Sequence, residues 1–388
     1  MNRDGPGPSG SGLRILHVSE VSWGGVTSLL EHFIQEQDQA GHDVHLLGPD
    51  SMPTFAGATQ HRWRVDRGRP WTVATALLDL RRTVHRVQPD VVHLHSFVAG
   101  LLGRLPGQRR ILPVPVVYQP HAWSFDLFSR PTLSRAVRRS ESRAVHRTDV
   151  MVTNCVAEIE EGQANGIALP SHVLGVAVDL EAFHPVISTV RQDCRNELGI
   201  TAKHVLVCVG RLSRQKGQDL LLASWERERP EDTQLILVGP GDTTSLRAQA
   251  PEQWGKTVLA VGEHADVRSW IWASDVVVLA SRYETVAVVV AEAMACGRPV
   301  VATAVNGAEA TIIDGALPAA GAVVPLGDMD ALIHEATRRL EDEVLSIDEG
   351  TSGRLRAEQS FRAGLVAGRL ERAYRQAIDE HPTRQARS

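Results

Sequence analysis

Several features that define other protein classes are missing from this chain of 388 residues. The chain contains no uncharged run of about 18 apolar residues, which excludes an ordinary membrane-spanning helix. Basic residues are not in excess, because 41 Lys and Arg stand against 46 Asp and Glu, and this balance argues against nucleic acid as the main partner. The four cysteines form no C-x-x-C pair and have no histidine at metal-ligand spacing, so we expect buried free thiols in a reducing cytosol.

The amino terminus also lacks an apolar segment. Residues 1–12 read MNRDGPGPSGSG, a composition that predicts a disordered tail and not a secretory signal. We therefore expect a cytoplasmic protein, which could act at the inner face of a membrane.

What the chain does contain is a repeated alternation of short apolar strands and amphipathic helices. Strand-like runs such as LRILHVS, DVVHLHS, HVLVCVG and DVVVLAS end at polar residues or glycine, and helical patterns separate them. This order predicts an α/β protein with two Rossmann-like domains, over residues 13–185 and 186–360. A terminal amphipathic helix within residues 361–388 could lie on either half or cross back to the first.

One segment of the first half is strongly basic. Residues 104–147 carry nine arginines and only two acids, Asp126 and Glu141. This segment could form a patch that contacts phosphate or an anionic membrane, or it could be an ordinary solvated helix face.

In open parallel sheets, ligands bind beyond the carboxyl ends of the strands, so two such halves facing each other would enclose a deep cleft. The strand end GRLSRQKG carries Arg211 and Lys216 between two glycines. An Arg and a Lys on a glycine-flanked loop suit a diphosphate. Only three basic residues are lysines, namely Lys203, Lys216 and Lys256, so a lysine at this position is notable.

The stretch ETVAVVVAEAMACGRP places Glu284 and Glu292 in apolar surroundings. Gly297 and Pro299 give a helix stop, so we predict a helix over residues 285–296. The first turn of this helix would then bind a phosphate through the backbone amides of Thr285, Val286, Ala287 and Val288. Eight helical steps span about 12 Å, too far for a glycosidase pair and similar to the distance from a hexose across two phosphates to a ribose.

At these residues the chain resembles the retaining family 4 glycosyltransferases, which have the GT-B fold. VGRLSRQKG, SRYETVAVVVAEAMACGRPVVAT, VLGVAVDLEAFHP and GAVVPLGD are similar to family signatures and occur in family order. DVVHLHSFVAGLLGRL and VVYQPHAWSF further resemble members that build exopolysaccharide or lipid-linked glycans. Two departures stand out: Thr285 and Ala287 occupy positions where the family usually has glycine, and Asn306 stands where glycine is common.

The resemblance implies a role for each site residue. Arg211 and Lys216 would bind the donor diphosphate, Glu292 the ribose hydroxyls and Glu284 the donor sugar. Gly24 and Gly25 would allow main chain to approach the phosphates, and His121 would lie beside the sugar near the reacting centre. No cofactor and no protein nucleophile are expected, because in this family the leaving diphosphate helps to deprotonate the acceptor.

Other candidate sites were weighed against simpler explanations. Asp328 and Asp330 match the D-x-D pattern of metal-dependent sugar transferases, but Asp328 is also a natural helix N-cap. His93 and His95 share one face of a strand and form a possible metal pair without a third ligand, or a buried or cleft-lining pair. Trp23 and Trp123 could stack on sugar or simply pack. We expect no metal site.

The sequence thus predicts a metal-independent, retaining transferase that moves a hexose from a UDP or GDP sugar to an unknown acceptor. Two alternatives remain open. The protein could bind the donor without catalysis, as the silent partner of another transferase, or it could be a nucleotide-sugar epimerase on the same scaffold. The base, the sugar, the acceptor, the linkage and the oligomeric state are not determined by sequence.

Overall fold

A computed structural model describes residues 12–66, 70–107, 113–127, 130–285, 287–313 and 315–385. The chain forms two compact units. The first comprises Met1–Leu174 with Gly364–Ser388, and the second comprises Gly175–Ala363. None of the described helices is long and apolar enough to cross a bilayer.

The first unit is built on a seven-stranded parallel sheet of order β3-β2-β1-β4-β5-β6-β7. Its strands are β1 (Arg14–Ser19), β2 (Asp43–Gly48), β3 (Thr59–Arg62), β4 (Val91–His95), β5 (Val116–Gln119), β6 (Val150–Thr153) and β7 (Ser171–Val173). Its helices are α1 (Gly25–Gln39), α2 (Val73–Val87), α3 (Ser96–Gly103), α4 (Pro131–Ala144) and α5 (Val156–Ala164).

The second unit contains a six-stranded parallel sheet of order β10-β9-β8-β11-β12-β13. The strands are β8 (His204–Val209), β9 (Thr233–Val238), β10 (Val258–Gly262), β11 (Val276–Leu279), β12 (Val300–Thr303) and β13 (Gly321–Val324). The helices are α6 (Ser188–Glu197), α7 (Gln218–Arg227), α8 (Thr244–Arg247), α9 (Arg268–Ala273), α10 (Val288–Ala295), α11 (Ala308–Ile312), α12 (Met329–Glu341) and α13 (Glu343–Ser360).

Both sheets bury their central strands on both faces. Val91–His95 of β4 and Val276–Leu279 of β11 are buried at every position. Burial on both faces explains why β11 is a continuous apolar run, whereas β4 also buries two histidines, His93 and His95. The predicted fold class is confirmed: two parallel, Rossmann-like α/β domains form the scaffold. The four cysteines are free and buried, as expected.

The terminal helix α14 (Ala363–Gln385) belongs to the first unit. The Tyr374 hydroxyl lies 2.8 Å from His93 Nδ1, and Arg369 donates to the carbonyl of Leu174. The boundary between the units follows Leu174, whereas the sequence predicted it near residue 185. Val176 and Val178 explain the position, because both are buried in the core of the second unit.

Candidate functional site

The order of each sheet reverses at one pair of neighbouring strands. In the second unit this pair is β8 and β11, so the loops that follow them, residues 210–217 and 280–287, leave the same edge of the sheet side by side. Ligands of open α/β sheets bind at such reversal points. These are the two loops that the sequence singled out.

Glycine allows the first loop to lie close to the second. Gly217 adopts φ +69, and a Cβ at this position would lie 2.0 Å from the carbonyl oxygen of Ala280. Gly210 adopts φ +150, and the stem of Lys216 lies 3.2 Å from where its Cβ would be. A larger residue at either position would displace Lys216 or separate the loops.

Lys216 and Glu284 form the central contact of the site. Lys216 Nζ lies 2.6 Å from Glu284 Oε1, and both side chains are largely buried. Ser281 Oγ donates to the same carboxylate oxygen at 2.8 Å. The exposed guanidinium of Arg211 lies on the same loop as Lys216 and donates to Gln215 Oε1 at 3.4 Å.

A second ion pair joins the loop after β11 to the first turn of α7, and it was not predicted from the sequence. Arg282 makes a bidentate contact with Asp219, with both nitrogen–oxygen distances 2.7 Å, and also donates to the carbonyl of Arg214. The available signal was an arginine directly before Tyr283 and Glu284 in a strand-end loop. Its partner lies 63 residues earlier in the sequence, so the pair becomes visible only in the fold.

The helix predicted over residues 285–296 exists but is shorter. α10 begins at Val288 and ends before Gly297, whose φ of +67 provides the predicted stop. Glu284 therefore precedes the helix, and the 12 Å separation derived from helical rise does not apply to it. This interpretation was wrong because the helix begins at Val288, so only the four steps from Val288 to Glu292 have helical rise.

Thr285 and Ala287 replace glycines that are usual in the family, and neither position has a left-handed backbone that would need glycine. Ala287 has φ −78 and ψ 114, and Thr285 is not among the residues with positive φ. Both conformations are open to any L-residue. Val286 lies outside the described residues. At the other departure, Gly307 and not Asn306 takes the left-handed conformation, with φ +76.

Glu292 lies on α10, half-buried among apolar residues. Its carboxyl makes no hydrogen bond or ion pair with any other described residue. Burial raises its pKa from 4.5 to about 7, because a charged carboxylate is poorly solvated in this environment. A carboxylate without a protein partner is available to accept hydrogen bonds from a ligand.

The remaining candidates, Gly24, Gly25 and His121, belong to the first unit. Gly24 precedes α1 with φ +75, a conformation that favours glycine although a Cβ would have open space there. Gly25 is the first residue of α1, which follows β1 after the short loop of residues 20–24. His121 follows β5 and is linked by Nε2 to His95 Nδ1 at 3.0 Å.

His121 lies in a strained turn. It has φ +55, and Ala122 has φ +122, both uncommon for residues with a side chain. The Ala122 amide donates to the buried carboxylate of Glu158 at 3.1 Å, and the Asn154 amide donates to it at 2.7 Å. Burial raises the pKa of Glu158 to about 7. Glu158 was not predicted from the sequence, because it gives no signal beyond being one acid among several on a helix.

Several alternative sites have structural explanations. Asp328 is the N-cap of α12 and accepts from the Ala331 amide, as predicted, while Asp330 pairs with Arg227. Trp123 is buried and donates to the carbonyl of Glu158 at 2.8 Å, so it packs, whereas Trp23 is exposed.

Comparison with known proteins identifies the family. The model for "Glycosyltransferase Family 4" matches residues 23–182, and that for "Glycosyl transferases group 1" matches residues 203–342. D-inositol 3-phosphate glycosyltransferase 1 of Catenulispora acidiphila is 32% identical over 317 residues, covering 75% of this chain and 73% of the relative. The chain belongs to glycosyltransferase family 4. It is a glycosyltransferase with a GT-B type fold.

Two further proteins are similar to this family 4 member over most of its length. The lipopolysaccharide core biosynthesis mannosyltransferase LpsB of Rhizobium meliloti is 27% identical over 365 residues, covering 90% of this chain and 93% of the relative. The structure of Anabaena HepE in complex with UDP-glucose has a TM-score of 0.79 at 20% identity, covering 93% of this chain and 98% of that one. The similarity to HepE, at this low identity, shows a shared fold alone.

Proposed function

We propose that this glycosyltransferase moves a hexose from a UDP or GDP sugar to an acceptor, with retention at the anomeric carbon and without a metal ion. The reaction would serve the synthesis of a polysaccharide or another glycoconjugate. The observation that carries the proposal is the contact between Lys216 and Glu284 beside Arg211, at the strand reversal of the second sheet.

Each group has a chemical task in this proposal. Lys216 and Arg211 neutralise the diphosphate, as an ammonium and a planar guanidinium do in other phosphate sites. Glu284 exchanges part of its contact with Lys216 for sugar hydroxyls, and Glu292 accepts from the ribose hydroxyls. The first two amides of α10, those of Val288 and Val289, precede the first bond of the turn, from Val290 to the Ala287 carbonyl, and add donors for phosphate.

The proposal of metal independence rests on this pair of cations. Mg²⁺ in other transferases neutralises the leaving diphosphate, and Arg211 with Lys216 can supply the same charge. No protein nucleophile is invoked, because the leaving diphosphate would accept the proton of the attacking hydroxyl on the same face. The names of the relatives, which include UDP-glucose as a bound ligand of HepE, support a nucleotide-sugar donor.

The acceptor could be carried on a membrane lipid. α4 exposes four arginines and presents no acid to solvent, because its only acid, Glu141, is buried in an ion pair with Arg104. The exposed residues are Arg135, Arg138, Arg139 and Arg143. We propose that this basic face contacts anionic lipid peripherally.

A donor panel tests the function. Thermal shifts with UDP and GDP sugars should identify one that raises the melting temperature, since a ligand bound to the native state stabilises it. That donor should then release its nucleotide in EDTA when a panel of carbohydrate acceptors is added, and NMR should show the donor's anomeric configuration in the product.

Three other results would contradict the proposal in distinct ways. Donor binding without release, with water or with any acceptor, would identify a silent binding protein. Interconversion of the donor sugar without an acceptor would identify an epimerase. Inverted product, or activity abolished by EDTA and restored by Mg²⁺, would refute the retaining or the metal-independent part.

A further inference from the structure

A chain of buried imidazoles leads to His121 in the first unit. His17 lies on β1, His95 at the end of β4 and His121 after β5, and these three strands are neighbours in the sheet. His17 Nδ1 is 2.9 Å from His95 Nε2, and His95 Nδ1 is 3.0 Å from His121 Nε2. At the other end, His17 Nε2 is 2.8 Å from Gln37 Oε1. Four side chains thus form one line of three hydrogen bonds.

The orientation of Gln37 sets the direction of every bond in this line. A neutral imidazole has one N–H and one bare nitrogen, so a donor on one side requires an acceptor on the other. The Gln37 amide nitrogen faces the Tyr374 hydroxyl at 3.5 Å, which leaves its oxygen to accept from His17 Nε2. His95 then donates from Nε2 to His17, and His121 donates from Nε2 to His95.

This arrangement fixes one tautomer of His121. With its proton on Nε2, the ring can offer a ligand only Nδ1, which is bare and has no hydrogen-bond partner among the described residues. Reversing the line would put the proton on Nδ1 and change His121 from an acceptor into a donor. The distinction matters for any group that must recognise a hydroxyl.

The line holds a tautomer and does not carry charge. Burial lowers the pKa of His17 to about 4 and of His121 to about 3, and it lowers the pKa of His95 well below its usual value. A proton passed inward would create a buried imidazolium beside the neutral amide of Gln37, which cannot accept it. The imidazoles therefore act by orienting one another.

The backbone at His121 is also held in an unfavourable conformation. The positive φ angles of His121 and Ala122 persist because Glu158 binds the Ala122 amide on one side and His95 binds the imidazole on the other. Strain retained in this way is common where a side chain must be placed accurately.

We propose that His17 and His95 are positioning residues that hold His121 as its Nε2–H tautomer, with Nδ1 presented as the acceptor for a hydroxyl of a bound carbohydrate. The consequence for turnover rests on the proposed transferase function, whereas the tautomer itself does not. Gln37 is the residue that selects the tautomer, from the far end of the line.

A metal ion is the rival explanation for the same rings. One ring nitrogen from each of His17, His93 and His95 lies within 4.8 Å of the others, and His93 Nε2 is buried without a partner among the described residues. Two nitrogens bound to tetrahedral zinc at about 2.0 to 2.1 Å would lie roughly 3.3 Å apart. The 2.9 Å separation of His17 and His95 is that of a hydrogen bond, which favours the shared proton.

The test measures ring protonation directly, by nitrogen NMR of the full chain labelled at histidine. The wild type should show His121 protonated at Nε2 and bare at Nδ1. His95→Phe removes the acceptor and should give a mixture of tautomers with kcat about tenfold lower and little change in donor KM. His95→Asn can restore an acceptor oxygen near the lost Nδ1, so it should recover the tautomer and most of the rate.

Two further variants separate positioning from packing. Gln37→Leu keeps side-chain volume two rings away from His121 and should also give mixed tautomers, which keeps the test decisive if His95→Phe fails to fold. His45→Phe alters a ring on β2 that bonds His61 outside the line, and it should leave the His121 tautomer unchanged.

The proposal is overturned if His121 in the wild type carries its proton on Nδ1, or if neither His95→Phe nor Gln37→Leu alters its tautomer. One equivalent of zinc that shifts the His17 and His95 signals would overturn it as well. If no donor and acceptor pair supports transfer, the proposed transferase function is refuted. The tautomer can still be tested in that case, because the NMR result does not depend on turnover.

Discussion

At the scale of single residues, the site combines a satisfied ion pair with an unsatisfied carboxyl. Lys216 and Glu284 neutralise each other, so both can be largely buried without the cost of an isolated charge. Glu292 has no such partner, and its raised pKa records that cost. A donor that supplies hydroxyls to one carboxylate and phosphate to the cation would relieve both constraints.

Replacing Lys216 should weaken donor binding. Lys216→Ala removes the ammonium and leaves Glu284 unpaired, so affinity should fall by about 1.5 to 3 kcal/mol, the range for a hydrogen bond to a charged group. Titration calorimetry with the donor from the thermal-shift panel gives the value. Lys256→Ala removes an exposed lysine of the same unit and should bind the donor like the wild type. Equal affinities for the two variants would remove Lys216 from the site.

Glu292 predicts a pH dependence of donor binding. Its folded pKa of about 7 lies above the usual 4.5, so the carboxylate forms above pH 7 and is lost as the pH falls through this value. If the ribose hydroxyls bind only the ionised form, affinity should decrease about tenfold from pH 8 to pH 6. Calorimetry across this range measures it, and Glu292→Gln should show a flat profile. A steep profile in Glu292→Gln would assign the titration to another group.

At the scale of elements, the site depends on how closely two loops approach. The loop of residues 210–217 lies against the loop that begins at Ala280 because Gly217 leaves room for the Ala280 carbonyl. Arg282 fastens the contact by bonding the Arg214 carbonyl and the Asp219 carboxylate. α10 then starts late, at Val288, which leaves Glu284 in the loop and able to reach Lys216. Extending the helix by one turn would remove that freedom.

Two glycines with the same backbone angle provide a matched test of loop contact. Gly217 and Gly199 both have φ +69, but a Cβ at Gly217 would meet the Ala280 carbonyl at 2.0 Å, whereas one at Gly199 would meet nothing within 4 Å. Gly199→Ala should cost about 1 kcal/mol of unfolding free energy from the backbone term alone. Gly217→Ala should cost about 3 kcal/mol because the clash is added, and should also weaken donor binding.

Denaturant unfolding and donor titration of both variants separate the two contributions. If Gly217→Ala matches Gly199→Ala in stability and binds donor like the wild type, then the loops do not depend on this close approach.

At the scale of the whole molecule, charge is distributed unevenly despite the net value of −5. The exposed arginines of α4 form no ion pair with a described residue, and the only acid of the helix is buried. A protein with no overall basic excess can therefore present a local basic surface. Such a surface suits an acceptor held in an anionic membrane.

Vesicle binding tests this surface. The protein should bind vesicles that contain anionic lipid, and binding should decrease with added salt because the Debye length shortens. Arg135→Gln with Arg139→Gln should weaken binding severalfold, whereas Arg229→Gln with Arg247→Gln, an equal charge change in the second unit, should not. Binding to neutral vesicles of equal strength, or binding to neither kind, would refute the membrane contact.

Much of the fold was predictable because buried parallel strands leave a clear signal. Runs such as DVVVLAS and HVLVCVG are rich in β-branched apolar residues and end at polar residues or glycine, which locates both the strand and the loop that carries ligand-binding groups. The edge strand β3 was missed because its residues, TQHR, are polar and largely exposed. β7 is only three residues long and gave too short a pattern. The helix after Glu284 was identified but placed three residues early, because valine-rich sequence gives no N-cap signal.

By itself, then, the sequence determined the two α/β domains, the glycine-flanked cations and the family, since all of these depend on residue order within short segments. Only the tertiary structure decided which distant side chains meet. Lys216 meets Glu284, Asp219 meets Arg282, and His17, His95 and His121 align, because parallel strands far apart in sequence end at one edge of a sheet. Local patterns encode the strands, but strand order brings their ends together, and that order is a property of the folded sheet.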